Sequence, residues 1–288
     1  LGAELLYRGV YSRWGHYTDE SDYLATECSN ISVSLMAFLQ RQYTLAHMGC
    51  SVVMAWDDKN EEMLCLRSLD WKGSDAIARA TRKFTFINKD NIEVAQVAGI
   101  TGMVGILTGC KKGFSIAINY APWRLSAKFK SDPTFLIRKL LEDETVESYD
   151  DAVSTVRSWQ TGSPCFISIC GVKKGEACVI ELGSRKKIHI REMGDKNYLI
   201  QTNHYDLNTS PFIKHNEVPY TEQMQEKQWY ESELLKNSQT REEVLGSGLE
   251  KTSSVEMLER VISFVKEATV LSWETAPWVM MKQKLGHM

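Results

Sequence analysis

The sequence predicts an α+β fold in which sheets pack together and helical layers lie outside them. Apolar runs of strand length fall into two blocks along the chain, and segments of helical periodicity are segregated from them. At 288 residues the chain can bury a substantial core, as one large domain or two. No internal repeat, low-complexity segment or Gly/Pro-rich linker interrupts it.

The clearest predicted element is a hairpin at the start of the first strand block. Residues 52–56 are strand-forming, residues 57–61 make a charged turn, and residues 63–69 are apolar again. Antiparallel pairing about this turn sets Cys50 opposite the end of its partner strand, at about position 69 or 70. The hairpin therefore brings Cys50 close to Asp70.

Two charged residues in this apolar hairpin, Arg67 and Asp70, favour a site over an ordinary core. A charged group in a buried strand must be paired or used. A free cysteine in a strand is most often a small buried hydrophobe. A plain core hairpin with a buried Cys50 therefore stays open as the alternative.

The other elements follow from periodicity and from capping signals, such as the Asp-Pro pair at residues 132–133. Helices are predicted at residues 31–47, 134–142, 148–160, 220–236 and 254–266. Strands are predicted at residues 83–88, 92–98, 103–107, 113–119, 165–170, 177–182, 187–191, 198–202, 268–273 and 278–282, with a turn at 110–113.

Composition excludes several classes of function. The 34 Lys and Arg against 37 Asp and Glu give a net charge of −3 without a long single-sign run, so no nucleic-acid partner is expected. No apolar run reaches the roughly 20 residues that span a bilayer, so no transmembrane segment is expected. The seven cysteines lack paired CxxC spacing, which argues against a zinc module and a fully disulfide-bonded scaffold. The chain starts at Leu1 without an initiator Met, which leaves compartment open and is compatible with removal of a leader.

Four motifs in order carry a resemblance to a known superfamily. They are Gly49-Cys50-Ser51 with residues 67–71 (RSLDW), residues 99–109 (GITGMVGILTG), residues 114–120 (FSIAINY) and residues 201–206 (QTNHYD). In order and wording they are similar to the choloylglycine hydrolase superfamily. Within it, they most resemble the acid ceramidase and N-acylethanolamine acid amidase branch and its bacterial linear-amide hydrolase relatives.

The resemblance implies an N-terminal nucleophile hydrolase with a four-layer αββα sandwich of antiparallel sheets. Such enzymes cut the peptide bond before the nucleophile, which here predicts cleavage between Gly49 and Cys50. Residues 1–49 would become a propeptide or a small, partly helical α-subunit, and residues 50–288 the catalytic domain. The apolar helix expected at residues 31–47 favours retention, since its face would otherwise be exposed. No metal or organic cofactor is required.

The expected chemistry uses the new α-amine as the base. A free thiol has a pKa of about 8.5 and an α-amine one of about 8, so the two can exchange a proton near neutrality. Asp70 can then orient the amine, and Arg67 can lower the thiol pKa and hold a polar substrate group. A structural salt bridge between Arg67 and Asp70 is the alternative.

The resemblance implies Asn203 and groups at Asn119 as oxyanion donors. From position alone, the better interpretation of each is that it ends a strand by bonding turn backbone groups. His204, beside Asn203, is interpreted as a neighbour of the site rather than its base.

Two positions depart from the pattern of the family. Tyr120 stands where the ceramidase-like branch has Glu, and Lys227 lies where an Arg is expected in the segment entering the helix after Asn203. A single-point charge cannot reproduce a bidentate guanidinium. Tyr120, Lys227 and Trp71 are kept as candidate substrate-binding residues.

The predicted function is hydrolysis of a linear carbon-nitrogen amide of a small N-acyl compound through an acyl-enzyme on Cys50. One alternative is an uncleaved Cys/His acyl transferase or hydrolase that uses His47 or His204 as base. A second alternative is a non-catalytic binding protein that keeps the fold. The amide itself and the oligomeric state are not readable from the sequence.

Overall fold

A computed structural model describes residues 17–28, 31–40, 49–70, 74–121, 132–183, 188–212, 225–250 and 275–283. Its helices are α1 (Thr18–Glu27), α2 (Val33–Leu39), α3 (Ser74–Ala80), α4 (Pro133–Glu142), α5 (Tyr149–Arg157) and α6 (Gln225–Glu250). Its strands are β1 (Gly49–Asp57), β2 (Glu62–Asp70), β3 (Thr81–Ile87), β4 (Glu93–Ile100), β5 (Thr108–Lys111), β6 (Phe114–Tyr120), β7 (Cys165–Cys170), β8 (Ala177–Leu182), β9 (Ile188–Glu192), β10 (Tyr198–Gln201) and β11 (Thr275–Gln283).

Within these residues the strands form two antiparallel sheets. One has the order β10-β1-β2-β11, and the other runs from β3 to β9 in chain order. The predicted hairpin is confirmed, since Val52 pairs with Arg67 and Cys50 pairs with Leu69. Strand β1 thus lies inside the smaller sheet, between β2 and β10.

The alternation of side chains along β1 explains the layers. Val52 and Met54 belong to the core between the two sheets, which they share with Phe166 of the larger sheet. Val53 on the opposite face packs in a separate cluster with Leu245 of α6. Helices α4 and α5 contact the larger sheet. The predicted α+β sandwich of antiparallel sheets with helices outside is therefore confirmed.

Helices α4 and α5 begin where the capping signals predicted. The Asp132 carboxylate accepts a hydrogen bond from the Thr134 amide at 2.9 Å, and Pro133 occupies the first turn. Ser148 and Asp151 form a reciprocal capping box at the start of α5. These two starts are local, which is why sequence located them.

The strand predicted at residues 103–107 is wrong. That segment leaves β4 through a turn at Gly102, whose φ is +88°, and the strand β5 forms instead over residues predicted partly as a turn. The segment crosses the start of α4, where the Ile106 amide donates to the Thr134 carbonyl at 3.1 Å. A Cβ added to Gly105 would clash with the side chain of Thr134, so this close crossing requires a glycine. The apolar side chains of residues 103–107 therefore pack against a helix and do not form a strand.

Helix α6 is longer than predicted, and α1 and α3 were not predicted. The prediction ended at residue 236, but α6 continues to Glu250 through Gly246 and Gly248, which have low helix propensity. Leu245 and Leu249 are buried against β1 and β2 there, and this packing outweighs propensity. The helix predicted at 31–47 is seen as α2, and its remainder beyond residue 40 lies outside the described residues. So do the helix at 254–266 and the strand at 268–273, while β11 includes the strand predicted at 278–282.

None of the helices in the described part of the chain is long and apolar enough to cross a membrane.

Candidate active site

The thiol of Cys50 lies beside a guanidinium in the interior. Cys50 is fully buried at the start of β1, and Arg67 is 3% exposed on β2. Arg67 pairs with Val52, so on the pleated sheet it is the diagonal neighbour of Cys50 on the same face. One of its terminal nitrogens donates to Cys50 Sγ at 3.4 Å and to the Ile118 carbonyl at 3.2 Å. The guanidinium thus places a fixed positive charge next to the sulfur.

The main chain of Cys50 is held at both ends. Its amide nitrogen donates to Asn203 Oδ1 at 2.6 Å. Its carbonyl accepts from Arg241 at 2.6 Å and from Asn119 Nδ2 at 3.4 Å. The nitrogen held by Asn203 is the atom that would become an α-amine if the chain were cut after Gly49.

Asn203 uses every polar atom of its side chain. Its Oδ1 also accepts from Arg241 at 2.8 Å, and its Nδ2 donates to the Tyr120 carbonyl at 2.9 Å. Its own backbone amide donates to Ser238 Oγ at 2.7 Å. The carboxamide is thereby fixed with its oxygen toward Cys50 and its nitrogen toward β6.

Asn119 ties the two sheets together at the same place. Its Nδ2 donates to the carbonyls of Gln201 and Thr202 at 2.8 and 2.9 Å, in addition to Cys50. Both carboxamide nitrogens, of Asn119 and Asn203, therefore donate to main-chain carbonyls in this structure. Their role as oxyanion donors stays a prediction, which would require one of these hydrogen bonds to be exchanged for the substrate oxygen.

Arg241 completes the cluster and was not selected from the sequence. It is 1% exposed on α6, and besides the contacts to Cys50 and Asn203 it donates to Ser51 Oγ at 2.7 Å. Its Nε donates to Asn237 Oδ1 one helical turn earlier at 2.8 Å. The available signal was spacing: Arg241 precedes Leu245 and Leu249 by four and eight residues, which puts a charge on the buried face of a helix.

Lys227 lies far from this arginine along the same helix. It is in the first turn of α6, and the main chain at residue 227 is about 21 Å along the helix axis from residue 241. Its role as a candidate substrate-binding residue stays a prediction. Tyr120 ends β6 half-buried, with its carbonyl bonded to Asn203.

Three other selected groups cannot be placed in the site. Trp71 and His47 lie outside the described residues. Asp70 is described through its main chain, which pairs with Gly49 at the end of the hairpin. The strand register thus brings residues 49 and 70 opposite each other, next to the predicted pairing of Cys50 with residue 69.

His204 is engaged away from the thiol. Its Nε2 lies 2.8 Å from Glu242 Oε2, and its Nδ1 lies 2.8 Å from Ser238 Oγ. Because both ring nitrogens have partners on α6, neither is directed at Cys50. This arrangement does not favour His204 as the base of an uncleaved Cys/His enzyme.

The loop that follows Asn203 is anchored by the buried side chains of Glu181 and Tyr205. Burial raises the pKa of Glu181, whose carboxylate accepts from Ser210 Oγ at 2.5 Å. Burial also raises the pKa of Tyr205, whose ring packs edge-on against Phe166 at 4.9 Å between centroids. The tightly packed core on one side of the loop fixes where Asn203 emerges.

Two further thiols lie in the core between the sheets. Cys65 and Cys170 are fully buried there, and hydrogen bonding between them lowers the pKa of Cys65 and raises that of Cys170. Within the described residues, no group of three or more His, Cys, Asp or Glu side chains is arranged to hold a metal ion.

The fold belongs to a known class. A solved structure, the Caenorhabditis elegans N-acylethanolamine-hydrolyzing acid amidase (NAAA) ortholog, matches with a TM-score of 0.62 at 18% identity, covering 81% of this chain and 92% of that chain. At that identity the likeness shows a shared fold. Together with the sequence relatives below, it places the chain in the acid ceramidase-like superfamily of N-terminal nucleophile hydrolases.

Within that class, the chain belongs to the acyl-coenzyme A:6-aminopenicillanic acid acyl-transferase family, which it matches over residues 72–267, more than half of its length. Acid ceramidase of Balaenoptera acutorostrata scammoni is 29% identical over 185 residues, in a match that covers 59% of this chain and 44% of that protein. Acid ceramidase of Mus musculus is 25% identical over 188 residues, in a match that covers 60% of this chain and 45% of that protein. The chain thus spans less than half the length of these curated relatives.

Proposed function

We propose that this protein is an amidohydrolase that cleaves a linear carbon-nitrogen amide bond of an N-acyl compound through an acyl-enzyme on Cys50. One observation carries the proposal: the Cys50 nitrogen is held by Asn203 at 2.6 Å while its sulfur lies 3.4 Å from the Arg67 guanidinium. The sulfur and the main-chain nitrogen of Cys50 are thus held by separate, buried partners. The relatives named as acid ceramidases and the amidase neighbour support amide hydrolysis.

The first step that we propose is cleavage of the chain after Gly49. Sγ of Cys50 attacks the Gly49 carbonyl carbon, and the peptide C–N bond breaks. The Cys50 nitrogen takes the thiol proton, and Gly49 is left as a thioester on Sγ. Water then hydrolyses the thioester, which leaves a free thiol and a free α-amine on Cys50. The amine keeps the partner that already holds the amide, Asn203 Oδ1, because a hydrogen-bond donor remains at the same atom.

Turnover then follows the same chemistry on a substrate. The α-amine takes the Sγ proton, the thiolate attacks the substrate carbonyl, and a tetrahedral oxyanion forms. When it collapses, the C–N bond breaks and the leaving nitrogen takes the proton from the amine. Water attacks the resulting thioester, releases the acid and regenerates the thiol. Arg67 stabilises the thiolate before attack, and Asp70 and Tyr120 stay candidates for orienting the amine and contacting the substrate.

The proposed catalytic test is direct acylation of Cys50. Purified protein is mixed with N-acyl aminocoumarins of short, medium and long acyl chain, and a quenched sample is digested for peptide mass. We expect release of the coumarin and an acyl mass on the peptide that begins at Cys50. Absence of both with every chain length would favour the non-catalytic alternative. Acylation of a full-length, uncleaved chain would favour the conventional cysteine enzyme.

A second candidate function is acyl transfer to an amine, because the family to which the chain belongs carries an acyl-transferase description. The two functions share the acyl-enzyme and differ in what attacks it. Adding a small primary amine to the assay distinguishes them: a transferase forms the new amide at the expense of the free acid, whereas a hydrolase gives acid as before.

We also propose that residues 1–49 remain bound as a small subunit to the catalytic domain, residues 50–288. Gln40 is 2% exposed; it donates to the Gly102 carbonyl at 2.8 Å and accepts from the Val104 amide at 2.6 Å. Glu20 pairs with Arg138 of α4 at 2.8 Å. A peptide bond is not needed to keep these contacts.

Cleaved wild-type protein is therefore expected to run as one complex on gel filtration and to separate into two fragments in denaturant. Gln40→Ala should weaken that complex about tenfold or more, because it leaves the buried Val104 amide without its acceptor. Glu27→Gln at the exposed end of α1 is the control. Separation of residues 1–49 from the catalytic domain on gel filtration of cleaved wild-type protein, without denaturant, would contradict retention.

A further inference from the structure

A chain of hydrogen bonds connects the surface of α6 to the amide of Asn203. It runs from Glu242 Oε2 to His204 Nε2 at 2.8 Å, from His204 Nδ1 to Ser238 Oγ at 2.8 Å, and from Ser238 Oγ to the Asn203 backbone nitrogen at 2.7 Å. Thr202 Oγ1 joins it 3.1 Å from His204 Nδ1 and 2.9 Å from Ser238 Oγ. None of these contacts is used in the chemistry described above.

The donors and acceptors assign the protons. A carboxylate can only accept, so the Nε2 of His204 donates to Glu242. In the neutral ring Nδ1 is then an acceptor, and the hydroxyl of Ser238 or Thr202 donates a hydrogen bond to it. Ser238 Oγ accepts in turn from the amide of Asn203. Glu242 therefore fixes the tautomer of His204 that can hold a hydroxyl on its inner side.

The same face of α6 holds Asn203 at two atoms. Arg241 and Glu242 lie three and four residues after Ser238, about one helical turn further along α6. Ser238 binds the backbone nitrogen of Asn203, and Arg241 binds its Oδ1 at 2.8 Å. Glu242 acts on Asn203 only through His204. The side chain of Glu242 is 36% exposed and lines a cavity of about 950 Å³ between β9, β10 and α6.

This Ser, His and Glu set is not a second nucleophilic site. Ser238 is fully buried, and its oxygen already accepts the Asn203 amide. A substrate carbonyl cannot approach an oxygen in that position. What the set does is to join the segment at residues 202–204 to α6.

We propose that His204 is a positioning residue, which acts through Ser238 to hold Asn203 where its Oδ1 bonds the Cys50 nitrogen. This inference rests on the proposed function, since it concerns the orientation of the amine in a Cys50 acyl-enzyme reaction. It assigns to His204 a role distinct from that of a general base. Without the ring, the amide of Asn203 keeps Ser238, but the hydroxyl is no longer fixed from its other side.

The test compares two substitutions at one position. His204→Leu keeps the bulk and removes both polar contacts, while Ser238 and Thr202 can still bond each other. In His204→Asn, the side-chain oxygen lies near the former Nδ1 and can accept the hydroxyl again. Leu245→Ala on α6 is the matched control, because it weakens the packing of the same helix without a polar contact to Asn203.

We expect His204→Leu to slow single-turnover acylation of Cys50 about tenfold, at the lower end of the effect of losing an outer hydrogen-bond partner. KM should change little, and His204→Asn should recover most of the rate. Leu245→Ala should lower the urea midpoint at least as much as His204→Leu while leaving the acylation rate near that of wild type.

If wild-type protein is acylated normally, two results would overturn the inference about His204 and leave the proposed function intact. One is a wild-type acylation rate in His204→Leu. The other is a loss of rate in Leu245→Ala equal to that in His204→Leu, which would reduce the role of His204 to stability. Failure of the wild-type protein itself to be acylated would refute the proposed function, and the inference with it.

Discussion

Cys50→Ala is expected to yield a single full-length chain with amidase activity lower than that of wild type by about 10⁴-fold or more. The substitution removes the atom that we propose attacks both the Gly49 carbonyl and the substrate, and loss of a covalent nucleophile costs rates of this order. The exchange is small in volume, and Cys50 packs in an existing core, so the fold should persist. Intact mass measures processing, and coumarin release measures activity in the same sample.

Cys178→Ala is the matched control for this prediction. Cys178 is another buried cysteine, on β8, in the same core cluster as Cys50. The Cys178→Ala protein should be cleaved after Gly49 and remain active, with a small loss of stability. Wild-type protein that stays full length but active would contradict self-processing. A Cys50→Ala protein that is still cleaved after Gly49 would point to an external protease.

Arg241→Met is expected to lower acylation of Cys50 by about 100-fold and the free energy of unfolding by about 1–3 kcal/mol. The substitution leaves the Cys50 carbonyl, Ser51 Oγ and Asn203 Oδ1 without the donor that joins them. Asn203 would then be held at Oδ1 by the Cys50 nitrogen, without the second donor that orients it. Arg241→Lys should recover only part of the rate, because an ammonium cannot donate to all three oxygens in the geometry of a guanidinium.

Lys236→Met provides the control, since it removes a positive charge from an exposed position of the same helix. Its acylation rate and urea midpoint should stay close to those of wild type. The measurements are single-turnover acylation and urea unfolding of each variant. Full acylation in Arg241→Met would show that the carboxamide of Asn203 is held well enough by its other partners.

Elements with local signals could be predicted, whereas elements decided by contact with a distant part of the chain could not. The pairing of Cys50 with Leu69 follows from the turn between them, and the start of α4 follows from Asp132 and Pro133. Residues 103–107 have the composition of a strand, yet they cross α4, which follows much later in the chain. The last part of α6 forms through Leu245, despite glycines that disfavour a helix.

The site divides in the same way. The sequence by itself determined that Cys50 and Arg67 meet, because one hairpin brings residues only 17 apart into register on one face of a sheet. Asn119 and Asn203 were found through the resemblance, since their contacts to Cys50 span 69 and 153 residues and depend on how the two sheets pack.

Only the tertiary structure decided what holds them there. Arg241 reaches Cys50 across 191 residues, because α6 packs on the outer face of the smaller sheet and presents one polar turn to the start of β1. His204 is turned toward that same helix and away from the thiol. Turn chemistry and strand periodicity act over neighbouring residues, but the packing of a helix on a sheet sums many weak apolar contacts along the chain. The packing of α6 therefore determines that Arg241 and His204 take part in this cluster.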